Sequence, residues 1–435
     1  MIARVGHKLG HGIKDYGEHL VAFSPNARLY LTYVIIVGVA LGIFRLLFNF
    51  YVLSLGFDEK LIGNLAASSN LTALIVALPM GYLADYLGRK SSLIISGVAV
   101  FLTIGMMALW PVTSMLYAMN ILTGAAQSLA AVTMSPFLME NSREHERTYL
   151  FSFSSGIQMV SASVGSWIGG YLPSWIATTR NIGAVSSQAY SGSVLVVSIT
   201  LALSIIPLIL MRMPRLDHQE RTVFAPLSYA AKQPKQLTKL ILPVLITFIG
   251  AGLIMPFMNV FFRLQYHQTD QVIGILFAWG SLAMGLGLLI APPLAERFGK
   301  IQIVVITQGL SIPFLILLGF SPIFWASGLA YFIRVALMNM SGPIYQTFVM
   351  EKVEPSSRAM VASLVYMSSN FGNAFSPMIS GILQVRYGFG PPFLGTIILY
   401  VISVFLYWHF WWRKSEANRS VQAEIGIDDL RPKIT

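Results

Sequence analysis

Apolar runs of 18 or more residues follow one another from Leu29 to Phe410, separated by short polar or charged turns. Runs of that length are the signature of membrane-spanning helices. Composition agrees, with 55% hydrophobic residues, 11% charged residues and a mean hydropathy of +0.67. Soluble domains carry about 25% charged residues, so a soluble chain built from this sequence would expose aggregating surface. The expected product is an integral, multi-pass membrane protein.

The runs are also duplicated. Gly81-Tyr82-Leu83-Ala84-Asp85-Tyr86-Leu87-Gly88-Arg89-Lys90 returns in weaker form as Pro292-Pro293-Leu294-Ala295-Glu296-Arg297-Phe298-Gly299-Lys300, an offset of 211 residues (292 − 81). Ile62-Gly63 and Ile273-Gly274, Met139-Glu140 and Met350-Glu351, Arg147 and Arg358 keep the same offset. Apolar stretches between turn signals number twelve, six per repeat: 29–55, 60–86, 91–110, 114–139, 148–171 and 192–212, then 240–263, 271–297, 301–320, 323–350, 358–384 and 390–412. The expected fold is an all-α membrane protein of twelve transmembrane helices in two pseudo-symmetric six-helix bundles. Its parts are an N-terminal cytoplasmic segment (1–28), a first bundle (29–212), a cytoplasmic linker (213–239), a second bundle (240–412) and a cytoplasmic tail (413–435). A polar external loop is expected over 178–191.

Charge placement sets the orientation. Of the 29 Lys and Arg, 23 fall on one side of these spans, while Lys60, Arg180, Arg263 and Arg386 fall on the other. By the positive-inside rule both termini are then cytoplasmic, in a plasma (inner) membrane. The formal net charge of +11 is accounted for by that asymmetry and by pairing with anionic membrane lipids, so no nucleic-acid partner is expected. Cysteine is absent, which excludes disulfides and thiolate metal sites. No cofactor is expected, and the chain is expected to be monomeric.

Asp85, Arg89 and Lys90 lie where the second helix turns into the third, and Glu140 ends the fourth at the same level. Arg89 is placed to bridge to Glu140 by a charge-assisted bond, and Glu296, Lys300 and Glu351 repeat the set. Gly88 and Gly299 suit a turn that needs unusual backbone angles. Gly81 to Lys90 resembles the signature G-x-L-a-D-r-x-G-r-k of the major facilitator superfamily, in its family place between helices two and three. Tyr86 stands where a basic residue is usual, and Pro292 replaces the first Gly of the second copy. The resemblance implies the two-bundle transporter fold, with a latch made by Asp85, near Arg358, and by Arg89 with Glu140.

Two arginines fall inside apolar spans, Arg45 in helix one and Arg334 in helix ten. An ionised side chain at that depth costs at least ~2.5 kcal/mol and by default lines a polar cavity. Arg45 shares a helical stripe with Gly38, Gly42 and Asn49. Arg334 shares one with Ser327, Tyr331, Ser341 and Tyr345. Helix four offers Asn120, Gly124 and Gln127 in register, and helix seven offers Gly252, Pro256 and Asn259. The resemblance implies that helices one, four, seven and ten surround a central cavity. The candidate substrate-binding residues are therefore Arg45, Asn49, Asn120, Gln127, Asn259, Tyr331, Arg334, Ser341 and Tyr345. Nearby Phe44, Phe48, Phe257, Met258, Met338 and Met340 read as ordinary packing.

Guanidinium groups pair with carboxylate or phosphate, so the expected cargo is a small anionic or amphipathic solute. All 18 acidic residues fall at helix ends, in loops or in tails. A membrane-centre proton carrier of the usual kind is therefore missing. No catalytic constellation and no phosphate-binding Gly-rich loop is present, which argues against an enzyme or an ATP-driven pump. The function expected is secondary active or facilitative transport by rocker-switch alternating access. The alternatives are a lysolipid or amphiphile flippase, a multidrug efflux carrier, and a receptor or scaffold that does not transport. Small-residue ladders at Ser161, Gly165 and Gly169, and at Gly372, Ser376 and Ser380, are expected to serve static helix packing.

Overall fold

The computed structural model describes residues 25–140, 144–211, 234–353 and 358–413, which are helical with no strand among them. The first half forms α1 (Pro25–Ser54), α2 (Glu59–Leu87), α3 (Arg89–Leu109), α4 (Thr113–Glu140), α5 (Glu144–Arg180) and α6 (Ser187–Leu210). The second forms α7a (Pro234–Ile254), α7b (Met258–Tyr266), α8 (Asp270–Phe298), α9 (Lys300–Phe320), α10 (Phe324–Lys352), α11 (Arg358–Tyr387) and α12 (Gly390–Tyr407). A π-helical turn, Trp408–Trp412, extends α12. Counting α7a and α7b as one span, the described residues form the expected series of twelve helices. Among the described residues, nine spans are long and apolar enough to cross a bilayer. The more polar α5, α10 and α11 are not among the nine.

Close helix approach explains the small-residue ladders. In unit 1, the compact unit built mainly from the first half, α1 packs most extensively on α5 and α6. A Cβ on Gly42 would meet the Ala162 carbonyl of α5, and one on Gly165 would meet the Val39 carbonyl of α1. In unit 2, α7a packs on α11 and α12. There a Cβ on Gly372 would come within 2.7 Å of the Phe248 and Ile249 backbones, and one on Gly252 within 2.8 Å of Ser376 Cβ. The ladders therefore serve static packing inside each bundle, in equivalent places of the two copies.

Each compact unit includes a short segment from the other half of the chain. Asp58–Ala67, which includes the start of α2, groups with unit 2, and Gln268–Ser281, which includes the start of α8, groups with unit 1. Small residues at the repeat offset make both exchanges possible. A Cβ on Gly63 would meet the Pro377 carbonyl, and one on Gly274 would lie 2.7 Å from the Ser166 carbonyl. Polar bonds fix the start of α8: Tyr190 Oη donates to Asp270 Oδ2 at 2.5 Å, Gln271 Nε2 to Ser174 Oγ at 2.8 Å, and Ser163 Oγ to the Ala278 carbonyl at 2.8 Å.

Helix boundaries differ from expectation at three further places. Pro256 breaks the seventh span at a 3-10 turn, Met255–Phe257, because proline lacks the N–H and clashes with the preceding turn. Ser380 Oγ donates to the Leu253 carbonyl beside that break, a side-chain replacement typical of membrane helices. The loop between α5 and α6, expected over 178–191, shrinks to 181–186. Left-handed Asn181 (φ 52°) ends α5, and Ser186 Oγ caps α6 by accepting from Ala189 N at 3.3 Å. Residues 234–239, expected in the linker, form the first turns of α7a. The rest of the expected linker, 213–233, and the terminal segments 1–24 and 414–435 lie outside the described residues.

Candidate substrate side chains and charged turns

Arg45 lies nine residues from the end of α1, or about 14 Å at 1.5 Å per residue. A 30-residue helix is about 45 Å long, against a hydrocarbon core of about 30 Å, so Arg45 sits within the span. Its neighbours Leu46 and Leu47 are buried in unit 1 at 0% and 1% exposure. Arg45 itself is exposed, and among the described residues no hydrogen bond or ion pair engages its guanidinium. Phe44 and Phe48 stack beside it with ring centroids 4.8 Å apart. Gln127 on α4 is also exposed.

Arg334 has a different setting. At 1% exposure it is among the largest fully buried side chains. Its Nη2 donates to Tyr400 Oη at 3.1 Å, its Nη1 to Met255 Sδ at 3.6 Å, and the guanidinium lies 5.5 Å from the Tyr400 ring centroid. Nε has no partner, and no carboxylate faces the group among the described residues. Met255 lies in the break of α7, and Tyr400 comes from α12. Neither partner was legible in the sequence, since a Tyr or Met in an apolar run carries no positional signal.

Several of the remaining stripe residues bond within their own units. Asn120 Nδ2 donates to the Leu116 carbonyl at 3.1 Å and to Met107 Sδ at 3.3 Å. Asn49 and Asn259 are buried at 8% and 2% exposure, and Asn259 Oδ1 accepts from Val260 N at 2.9 Å. On α10, Tyr331 packs edge-on to Phe262 at 5.8 Å. Ser327 Oγ donates to the Leu318 carbonyl at 2.7 Å, and Ser341 Oγ accepts from Gln308 Nε2 at 3.1 Å. Tyr345 Oη donates to the Leu240 carbonyl at 2.6 Å. Ser327, Ser341 and Tyr345 of the α10 stripe thus each make a polar bond within unit 2. Buried hydroxyls and amides take the nearest carbonyl because leaving them unpaired costs about 1–3 kcal/mol.

The charged turns show the repeat in detail. Gly88 and Gly299 adopt φ values of 81° and 96°, the left-handed region expected from their types. Among the described residues a Cβ on Gly81 would meet nothing within 4 Å, so close packing does not explain that position. Lys300 Nζ forms an ion pair with Glu351 Oε1, and Arg89 is half-buried. The side chains of Asp85, Glu140, Glu296 and Arg358 lie outside the described residues. Lys90, in the same turn as Arg89, donates to the Ile209 and Met211 carbonyls at 2.7 and 2.6 Å. It thereby satisfies the orphan carbonyls at the end of α6.

The sequence profile of the Major Facilitator Superfamily matches residues 30–249 and 240–427. Over 183 residues the chain is 22% identical to the multidrug resistance protein MdtG of Proteus mirabilis (strain HI4320), a match covering 41% of this chain and 45% of that one. The chain thus spans less than half the length of this curated relative. In fold it is similar to a mutant of the nucleoside transporter NupG, with TM-score 0.72 and 16% identity over 89% of this chain and 100% of that one. It is also similar to a bacterial homologue of the human lysosomal transporter Spinster, with TM-score 0.70 and 14% identity over 88% and 96%. Identities this low speak for the fold alone. With twelve helices in two homologous sets and the family profile matched in both, the chain belongs to the Major Facilitator Superfamily and is a multi-pass membrane transporter rather than an enzyme.

Proposed function

We propose that the protein carries a small amphipathic solute with an anionic group across the plasma (inner) membrane by alternating access, both termini being cytoplasmic. Arg45 is the group that meets the anion, and the observation that carries this reading is its exposure on α1 with no protein partner among the described residues. A guanidinium facing lipid within the span is costly, by ~2.5 kcal/mol at the bilayer centre, so it belongs on a watered path. There its planar fork pairs with carboxylate or phosphate in bidentate fashion. Exposed Gln127 supplies a neutral polar contact. The other buried stripe residues hold the helices in place. A lysolipid is cargo of the same chemistry, and outward movement fits the drug-resistance name of the Proteus relative. Multidrug efflux is the second reading, favoured by that same name.

A thermal-shift screen of the purified protein tests the choice. Organic anions and lysolipids are expected to raise Tm in wild type and to lose that effect in Arg45→Gln. Stabilisation by cationic drugs alone, unchanged in the variant, would sink the anion reading and favour general drug efflux.

Arg334 acts as a fixed positive charge inside unit 2. Its replacement by methionine is expected to leave stability within about 1 kcal/mol of wild type, because relief of an unpaired buried charge offsets the bond lost by Tyr400. Transport is expected to fall severalfold in Arg334→Met. A large drop in Tm would instead make the residue purely structural.

Lys300 and Glu351 serve as a conformational latch. Their side chains are 33% and 56% exposed, so Glu351→Gln is expected to change stability by less than ~1 kcal/mol. Its expected effect is on accessibility, read by labelling single cysteines placed in this Cys-free chain. An unaltered labelling pattern refutes the latch.

A further inference from the structure

Three helix ends of unit 2 meet in a basic rim that the transport reading does not use. Gln236 Nε2 at the start of α7a donates to the Lys352 carbonyl at the end of α10, at 2.8 Å. Trp411 Nε1, in the turn after α12, donates to the Lys239 carbonyl of α7a at 3.2 Å. The Phe348 and Trp411 rings meet edge to face, 5.2 Å between centroids and 82° between planes. Lys352 Nζ lies 5.6 Å above the Phe348 ring. These contacts bring the backbones of Lys239 and Lys352 to one aromatic platform, with Lys235 a turn before Lys239 and Arg413 two residues after Trp411.

Charge at this rim is unbalanced. Lys235, Lys352 and Arg413 are exposed and Lys239 is half-buried. Residues 234–254 and 390–413 contain no acid. Of the acids near Lys352, Glu351 is taken by Lys300, and Glu354 lies outside the described residues. No ion pair engages the four cations among the described residues. Immediately toward the apolar length of α12, Trp408 and Phe405 are exposed at 39% and 56%. Cations at the ends of apolar spans, above outward-facing aromatic and aliphatic side chains, have the layout of a membrane interface. Basic clusters between helix ends there take anionic lipid headgroups.

We propose that this rim binds an anionic phospholipid of the phosphatidylglycerol type. Its phosphate is held among Lys239, Lys352 and Arg413, and an acyl chain runs along the exposed face of Phe405 and Trp408. The π-helical turn Trp408–Trp412 widens the helix where the headgroup sits, and such turns recur at functional sites. The bound lipid ties the start of α7a to the ends of α10 and α12.

The test is thermal unfolding and native mass spectrometry of the purified full-length chain. Phosphatidylglycerol, phosphatidylcholine with the same acyl chains, and inorganic phosphate are added separately. Phosphatidylglycerol is expected to bind and stabilise, while the other two do little. Each of Lys239→Gln, Lys352→Gln and Arg413→Gln is expected to weaken binding about fivefold, equivalent to ~1 kcal/mol per charge. Lys239→Arg is expected to retain binding, which separates lost charge from lost folding. Arg45→Gln is expected to keep the lipid effect intact, so failure of the cargo reading leaves this one standing. Equal stabilisation by phosphatidylcholine, or an undiminished response in all three glutamine variants, overturns the proposal. A matching response to inorganic phosphate overturns it in favour of a free-anion site.

Discussion

Uptake of an organic anion into proteoliposomes is expected to fall about 10- to 100-fold when Arg45 is replaced by alanine. Hydrogen bonds to charged groups contribute about 1.5–3 kcal/mol, and 1.4 kcal/mol is tenfold in affinity. The fold should survive, because the Arg45 guanidinium is exposed and engages no other described side chain. Expression and Tm of Arg45→Ala should therefore match wild type. Arg45→Lys keeps the charge but loses the planar fork, so its uptake should fall between the two. If the residue acts in binding, the defect appears mainly in KM at low substrate and shrinks at saturation. Normal uptake by Arg45→Ala at every substrate concentration would remove the anionic cargo from this protein.

The largest effect on the fold is expected at Gly165. Its Cα faces the backbone of α1 so closely that a Cβ would meet the Val39 carbonyl carbon at 2.9 Å and its Cα at 3.0 Å. Backbone cannot rotate away as a side chain can, so leucine here must drive α5 off α1. Overpacking of this kind costs roughly 3 kcal/mol or more. That is a large share of a marginal stability, and Gly165→Leu should yield aggregated protein in place of a monodisperse peak on size-exclusion chromatography. Gly156 lies on the same helix, and among the described residues a Cβ there would meet nothing within 4 Å. Gly156→Ala should be neutral or stabilising by up to ~1 kcal/mol. Equal tolerance at both positions would show that close approach of α1 and α5 is dispensable.

The contrast between these glycines shows how far the sequence could be read. Small residues four apart on helix five, matched 211 residues later on helix eleven, pointed to close packing. They did not say which helix approached. The backbone of Val39 does so at Gly165, and those of Phe248 and Ile249 at Gly372. The glycine of each charged turn was legible too, since only an unusual φ explains Gly88 and Gly299 at equivalent positions. Lys300 and Glu351 were identified as a set from type and spacing, and the structure joins them. Pro256 was visible, but its break of the seventh span was not, because membrane helices often absorb a proline.

Polar residues inside the spans were the hard part. Arg45 and Arg334 looked alike as lone guanidinium groups in apolar runs, yet one is exposed and the other is 1% exposed against Tyr400. Tyr345, Ser341 and Asn120 bond to carbonyl or amide groups that spacing alone does not name. Run length, charge asymmetry and the internal repeat settle the helix series from the chain alone, because burying a backbone in lipid leaves helical spans so little freedom. Where each polar side chain turns depends on which carbonyl or hydroxyl from a distant helix lies within 3 Å or so of it. That is a property of packing between helices, and no spacing along one helix encodes it.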